Sequence, residues 1–141
     1  MGYIGREPSK KYLEIFNVVK SARNAAIKFV QDKFAKGQVC CGWQVDDACR
    51  NVVKKAGYGK YFVHRTGHSI GEEVHGNGGN IDNLETRDDR QLMPGCLFSV
   101  EPGIYLEGKF GVRSEIDVYV GEREARVTGG EPQKEVVAIL A

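Results

Sequence analysis

The segment H-R-T-G-H-S-I-G-E-E-V-H, residues 64–75, holds all three histidines of the chain. Two glycines bracket the middle histidine, His68, and β-branched residues surround it, a pattern typical of extended backbone and a tight turn rather than of a helix. On a strand, His64 and His68 would share one face. A satisfied structural imidazole is the ordinary alternative for any single histidine. Three histidines with this glycine spacing favour a functional segment.

Length, charge and cysteine usage set the broad class. The 141 residues suffice for one domain with a single core. Twenty basic and 19 acidic residues leave a formal charge of +1, which favours neither nucleic acid nor an anionic membrane as a partner. Because no apolar run reaches the roughly 18 residues that span a bilayer, and residues 1–6 lack the apolar core of a signal peptide, we expect a cytoplasmic protein. The four cysteines lack C-x-x-C spacing, which predicts reduced thiols.

Apolar residues at helical spacing predict two helices ahead of the histidine segment. Pro8 and Ser9 form a start signal for a long amphipathic helix that ends near Gly37. A shorter helix is predicted from about Val45 to Ala56, with Gly57 as its C-terminal cap. Their apolar stripes are typical of faces buried in a core.

Beyond Gly59, short β-branched runs separated by Gly, Asn and Pro predict strands. The runs cover residues 61–63, 97–100, 103–106, 112–120 and 136–140. The glycine-rich loop at 76–80 lacks the following helix and the Lys-Ser/Thr of a phosphate-binding loop, which argues against a nucleotide site. Helices followed by strands predict an α+β domain.

Two further segments carry carboxylates at the end of, or along, predicted strands. Glu101 ends an apolar run and precedes Pro102, which favours an extended conformation. Arg113, Glu115 and Asp117 alternate with other residues in G-V-R-S-E-I-D-V, so we expect the three charges on one strand face. An ordinary solvated face with an Arg–Glu pair is the alternative.

Three motifs together resemble a known family. The histidine segment, M-P-G-C-L-F-S-V-E-P-G-I-Y-L at 93–106 and K-F-G-V-R-S-E-I-D-V at 109–118 resemble, in order and spacing, the motifs of Xaa-Pro dipeptidase (prolidase) and aminopeptidase P. These are proline-specific metallopeptidases of the creatinase and methionine aminopeptidase superfamily. The resemblance implies the C-terminal half of a pita-bread fold, with two helices packed on a curved antiparallel sheet. It also implies hydrolysis of Xaa-Pro bonds in dipeptides or longer peptides.

The resemblance implies roles for six residues by position. His68, Glu101 and Glu115 would be metal ligands, Glu115 bridging two ions. His64 and His75 would line the substrate site as proton carriers and hydrogen-bond donors, and Arg113 would lie beside the substrate. Glu101 would also accept the proton of the attacking water. One imidazole with carboxylates suits Mn, Co or Zn, and paired ions supply a hydroxide nucleophile.

The complete family site resembles a set of five ligands, of which the first two are aspartates on a hairpin upstream of the start signal at Pro8. Asp32, Asp46 and Asp47 lie downstream of that place and do not correspond to them. We therefore expect residues 1–141 to form a single partial catalytic domain, truncated naturally or otherwise, inactive alone and holding at most one ion weakly.

The expected partners are an Xaa-Pro substrate and either a second copy, in a homodimer, or the complementary N-terminal half. Two alternatives to a partial enzyme stay open on the residues alone. One is a non-catalytic module of the same fold that binds peptides or proteins. The other is a bare structural fragment.

Overall fold

The computed structural model describes residues 1–140, and its two α-helices lie in the N-terminal part of the chain. Helix α1 spans Lys10–Ala35 and helix α2 spans Gly42–Lys55. The Ser9 hydroxyl caps α1 by accepting a hydrogen bond from the Tyr12 amide at 3.2 Å, which confirms the predicted start signal. Gly57, just beyond α2, has φ of 85°, as expected of a residue that ends a helix.

Helix α2 begins earlier than its apolar stripe predicts. The side-chain oxygen of Gln44 accepts a hydrogen bond from the Cys41 amide at 3.0 Å, and this contact closes the first turn ahead of Val45. Such a cap depends on polar atoms rather than on hydrophobic spacing. The pattern therefore predicted the helix correctly and its start too late.

Eight short strands form three sheets within residues 1–140. The strands are β1 (Gly2–Tyr3), β2 (Ser69–Ile70), β3 (Leu97–Val100), β4 (Gly103–Leu106), β5 (Phe110–Arg113), β6 (Ile116–Val120), β7 (Ala125–Thr128) and β8 (Val137–Ala138). An antiparallel sheet has the order β2-β3-β6-β7, β4 and β5 form a hairpin, and β1 pairs with β8 in parallel. The α+β class is confirmed, and the parallel pair of the two chain ends is an addition to it.

The predicted strand at 61–63 is wrong, and so is the placing of His64 and His68 on one strand face. Gly59–Tyr61 form a 3-10 turn, and residues 62–66 have no strand pairing. The Arg50 side chain donates to the carbonyl oxygens of Phe62 and His64 at 3.0 and 2.8 Å. Backbone acceptors that a β ladder would use are therefore occupied by a helix side chain.

The predicted strand at 112–120 is interrupted at 114–115. Arg113 pairs with Gly103 in the hairpin, whereas Asp117 pairs with Ser99 in the larger sheet, so the two charges do not share one strand face. The break coincides with a contact from helix α1, because the buried Ser114 hydroxyl accepts a hydrogen bond from the Arg23 guanidinium at 2.7 Å. The interruption leaves the next residue, Glu115, between the two sheets.

The core lies between α1 and the sheets, since α1 contacts α2, β3, β4, β5 and β7. Phe16, Val19 and Val30 of α1 and Phe98 and Val118 of the sheet are almost fully buried. None of the described helices is both long enough and apolar enough to span a membrane.

The cysteines of the described chain are all free thiols. Cys40 and Cys49 are buried, whereas Cys41 and Cys96 are half-buried. Burial raises the pKa of both the Cys40 and the Cys49 thiol to about 12.

Candidate metal centre

His68 is held by backbone contacts on both sides. Gly67 pairs with Ile81 through two backbone hydrogen bonds of 3.1 and 3.0 Å. A Cβ atom at Gly67 would lie 1.8 Å from the Ser99 carbonyl oxygen, so only glycine permits this approach. The His68 amide donates to Ser99 Oγ at 3.0 Å, and the His68 carbonyl accepts from the Ser99 amide at 2.9 Å. The histidine is thereby fixed against β3.

The ring of His68 has one nitrogen free for a ligand. Its Nδ1 lies 3.0 Å from the Ser69 carbonyl oxygen, which can only accept a hydrogen bond, so Nδ1 carries the proton. In the neutral ring the lone pair is therefore on Nε2, which lies 3.4 Å from Oε1 of Glu101. A backbone carbonyl that fixes the tautomer in this way is typical of histidines that bind metals.

Glu101 follows β3 and is oriented by two donors. Glu101 is buried, with 8% of its surface exposed. Oε1 accepts from Ser99 Oγ at 3.0 Å, and Oε2 accepts from a terminal nitrogen of Arg113 at 3.0 Å. Ser99 thus bridges the backbone of His68 and the carboxylate of Glu101.

Glu115 completes a cluster of possible ligands. One ligand atom from each of His68, Glu101 and Glu115 lies within 4.8 Å of the others. Partial burial of the Glu115 carboxyl group and then the negative charge of Glu101 raise its pKa. A cation between the two carboxylates would relieve this repulsion, and one imidazole with two carboxylates suits Mn, Co or Zn. The three side chains therefore fit a divalent ion, and their role as its ligands stays a prediction.

His64 and Arg113 meet at a residue that the sequence reasoning missed. His64 Nδ1 lies 2.6 Å from the Arg65 carbonyl oxygen, so this nitrogen also carries the proton. Tyr105 therefore donates its hydroxyl hydrogen to His64 Nε2 at 2.9 Å and accepts from Arg113 Nε at 2.8 Å. Burial lowers the pKa of His64, which keeps the ring neutral near pH 7. The only sequence signal for Tyr105 was its place in the G-I-Y stretch after Glu101.

His75 lies beside the cluster, next to His68. It is exposed, and its ring centroid lies 4.3 Å from that of His68. The structure therefore brings His75 next to the candidate ligands, while His64 is placed beside Tyr105 and Phe62.

Comparison with known proteins agrees with this geometry. Residues 1–122 match the model of metallopeptidase family M24. An Xaa-Pro dipeptidase of Lactobacillus helveticus is 39% identical over 108 residues, which are 77% of this chain and 27% of the relative. An X-Pro aminopeptidase structure from Thermotoga maritima superposes with a TM-score of 0.82 at 34% identity, over 98% of this chain and 36% of the other.

A Bacillus anthracis Xaa-Pro dipeptidase structure gives a TM-score of 0.81 at 35% identity, over 96% of this chain and 35% of the other. The chain thus spans roughly a third of the length of the proteins that it matches. Its helices and antiparallel strands form part of the pita-bread fold of the prolidases. With most of its length matched by the family model, the chain belongs to metallopeptidase family M24.

Proposed function

We propose that this chain supplies one part of the active site of a proline-specific metallopeptidase that hydrolyses Xaa-Pro bonds in dipeptides or peptides. The observation that carries the proposal is the convergence of His68, Glu101 and Glu115 within 4.8 Å in a member of family M24. Relatives named as Xaa-Pro dipeptidases and X-Pro aminopeptidases support the substrate class. A cytoplasmic location and manganese as the ion belong to the same proposal.

The three converging side chains would hold one divalent ion. When bound, such an ion polarises a carbonyl group and lowers the pKa of a bound water. Three protein ligands leave coordination positions open, so this chain alone would hold a single ion weakly. The remaining ligands would come from a complementary N-terminal half, and residues 1–141 would act as a single partial catalytic domain. A second copy, in a homodimer, would bring only the same histidine and glutamates and would not complete the site.

The surrounding side chains suit the handling of protons and charge. Glu101, held between Ser99 and Arg113, is placed to accept a proton from water. Tyr105 presents a hydroxyl group polarised by Arg113, and His64 is ready to take its proton at Nε2. The exposed His75 could donate to a peptide carbonyl beside His68.

Arg113 is well placed for a negatively charged substrate group. Its side chain is 46% exposed, although it bonds both Glu101 and Tyr105. A guanidinium with unused donors at the rim of a site binds carboxylates well. We therefore assign it to substrate binding.

The test combines metal binding and hydrolysis. Isothermal titration with Mn²⁺ or Zn²⁺ should show one weak site that Glu101→Gln and Glu115→Gln abolish, whereas Glu107→Gln, an exposed glutamate in the β4–β5 turn, should leave it intact. Metal-loaded chain should hydrolyse an Xaa-Pro dipeptide only when the complementary half is added. Equal metal affinity in Glu101→Gln and wild type would refute the assigned ligands. Full turnover by the chain alone would refute the proposal that a complementary half supplies the remaining ligands.

A further inference from the structure

A buried ion pair on α2 lies outside the candidate metal centre. Asp46 is 0% exposed and Arg50, one helical turn further on, is 4% exposed. Arg50 Nε and one terminal nitrogen donate to the two Asp46 oxygens at 2.8 and 3.1 Å. Because well-packed apolar residues often replace such a pair at no loss of stability, its presence calls for a reason beyond the helix.

The other side-chain hydrogen bonds of Asp46 and Arg50 are made with residues 62–66. Arg50 donates to the carbonyl oxygens of Phe62 and His64 at 3.0 and 2.8 Å. Oδ1 of Asp46 accepts from the Thr66 amide at 2.9 Å and from the Thr66 hydroxyl at 2.6 Å. The Arg50 guanidinium also lies 4.2 Å from the centre of the Phe62 ring. Helix α2 therefore provides this irregular segment with the hydrogen-bond partners that a sheet would provide elsewhere.

Thr66 links the ion pair to the candidate ligands through hydrogen bonds. Its carbonyl oxygen accepts from the Glu101 amide at 2.7 Å, so one residue is bonded to Asp46 on one side and to Glu101 on the other. Two positions later His68 is bonded to Ser99, which also holds the Glu101 carboxylate. At the other end of the segment, the His64 backbone held by Arg50 places its ring against Tyr105.

We propose that Asp46 and Arg50 are positioning residues, which hold segment 62–66 and thereby place His64 against Tyr105 and His68 beside Glu101. Only the metal-binding role of the centre rests on the proposed function. The positions of the side chains are a property of the metal-free chain. Neither residue hydrogen-bonds to the candidate ligand atoms in the described chain, so their effect passes through the backbone of Phe62, His64 and Thr66.

The test compares two buried aspartates. Asp82 is 2% exposed, and among residues 1–140 its carboxylate accepts only from the amides of the loop at 84–86. Asp46→Asn and Asp82→Asn are each measured by urea unfolding, by nitrogen NMR of the imidazole rings without metal, and by competition between the protein and a chromophoric chelator for Zn²⁺. Both variants should lower the urea midpoint, because both lose a buried carboxylate with several donors.

Only Asp46→Asn should move the His64 and His68 ring resonances and weaken Zn²⁺ binding by about tenfold or more, as loss of a supporting contact around a metal ligand does. Asp82→Asn should leave the rings unchanged and Zn²⁺ binding within about twofold of wild type. Unchanged ring resonances in folded Asp46→Asn would show that Asp46 and Arg50 contribute to stability only, and would overturn the proposal.

A second variant keeps the test decisive if Asp46→Asn does not fold. Thr66→Val retains the shape and the ion pair but removes the hydroxyl bond to Asp46, and it should move the same resonances in the same direction by less. No movement in Thr66→Val would count against the proposal in that case. If wild-type protein binds no Zn²⁺, the proposed metal centre fails while the ring resonances still decide the positioning role.

Discussion

Ser99→Ala should weaken both the fold and the arrangement of the candidate ligands. Ser99 is 0% exposed, and its hydroxyl accepts from the His68 amide and donates to Glu101 Oε1, both at 3.0 Å. Alanine would leave the buried His68 amide without that partner and remove one of the two donors to Glu101. An unsatisfied buried group costs about 1–3 kcal/mol. We expect the free energy of unfolding to fall by about 2 kcal/mol and the Tm by about 4–8 °C.

Urea unfolding followed by far-ultraviolet circular dichroism measures this loss. Ser21→Ala is the matched control, because it makes the same change at an exposed position of α1 and should shift the free energy of unfolding by no more than about 0.5 kcal/mol. If Ser99→Ala unfolds within about 0.5 kcal/mol of Ser21→Ala, the hydroxyl does not connect β3 to the histidine segment.

Burial governs the behaviour of three other side chains. Because burial raises the pKa of the Cys49 thiol to about 12, iodoacetamide near neutral pH should label the half-buried cysteines of the folded chain well before Cys49; equally fast labelling, read by peptide mass spectrometry, would contradict this. Phe98→Ala should lower the free energy of unfolding by about 3–5 kcal/mol, and Leu13→Ala on the partly exposed side of α1 by about 1 kcal/mol or less; equal losses in urea would disprove the assigned core. For Asp88, burial alone would raise the pKa, but hydrogen bonds from Arg90 and backbone amides outweigh it, so the pKa in the folded chain is lowered. The ionised carboxylate therefore stabilises the fold fully above about pH 4, and this stabilisation is lost as the pH falls through the lower folded-state pKa. Asp88→Asn should therefore lose less stability than wild type between neutral and acidic pH, and an unchanged loss would show that Asp88 does not contribute.

The elements that the sequence predicted well are those set by neighbouring residues. The start of α1 at Ser9 and the end of α2 at Gly57 depend on caps within a few residues, and both predictions are confirmed. The strand at 112–120 depends instead on Arg23, which lies 91 residues before Ser114 and draws its hydroxyl inward. No local pattern contains that contact, so the break could not be predicted.

The same division applies to the candidate site. Motif resemblance singled out His68, Glu101 and Glu115, and the structure brings them together, although their function as ligands stays a prediction. Tyr105 was missed because its role comes from a contact with His64, 41 residues away in sequence. Sequence position excludes Asp46 as a counterpart of the family's ligands and indicates no other role for it. Its contact with Thr66, 20 residues away, joins a helix to an irregular segment, and no local pattern contains it.

A crystal soaked with Zn²⁺ or Mn²⁺ and measured at the metal's absorption edge tests the proposed centre most directly. We predict one anomalous peak among His68 Nε2 and the carboxylates of Glu101 and Glu115, at the ~2.0–2.2 Å typical of such ligands for zinc. The same soak of Glu115→Gln should show a much weaker peak. A metal-soaked wild-type crystal with no ion there, and with the three side chains more than about 6 Å apart, well beyond ligand distance, would contradict the proposed centre.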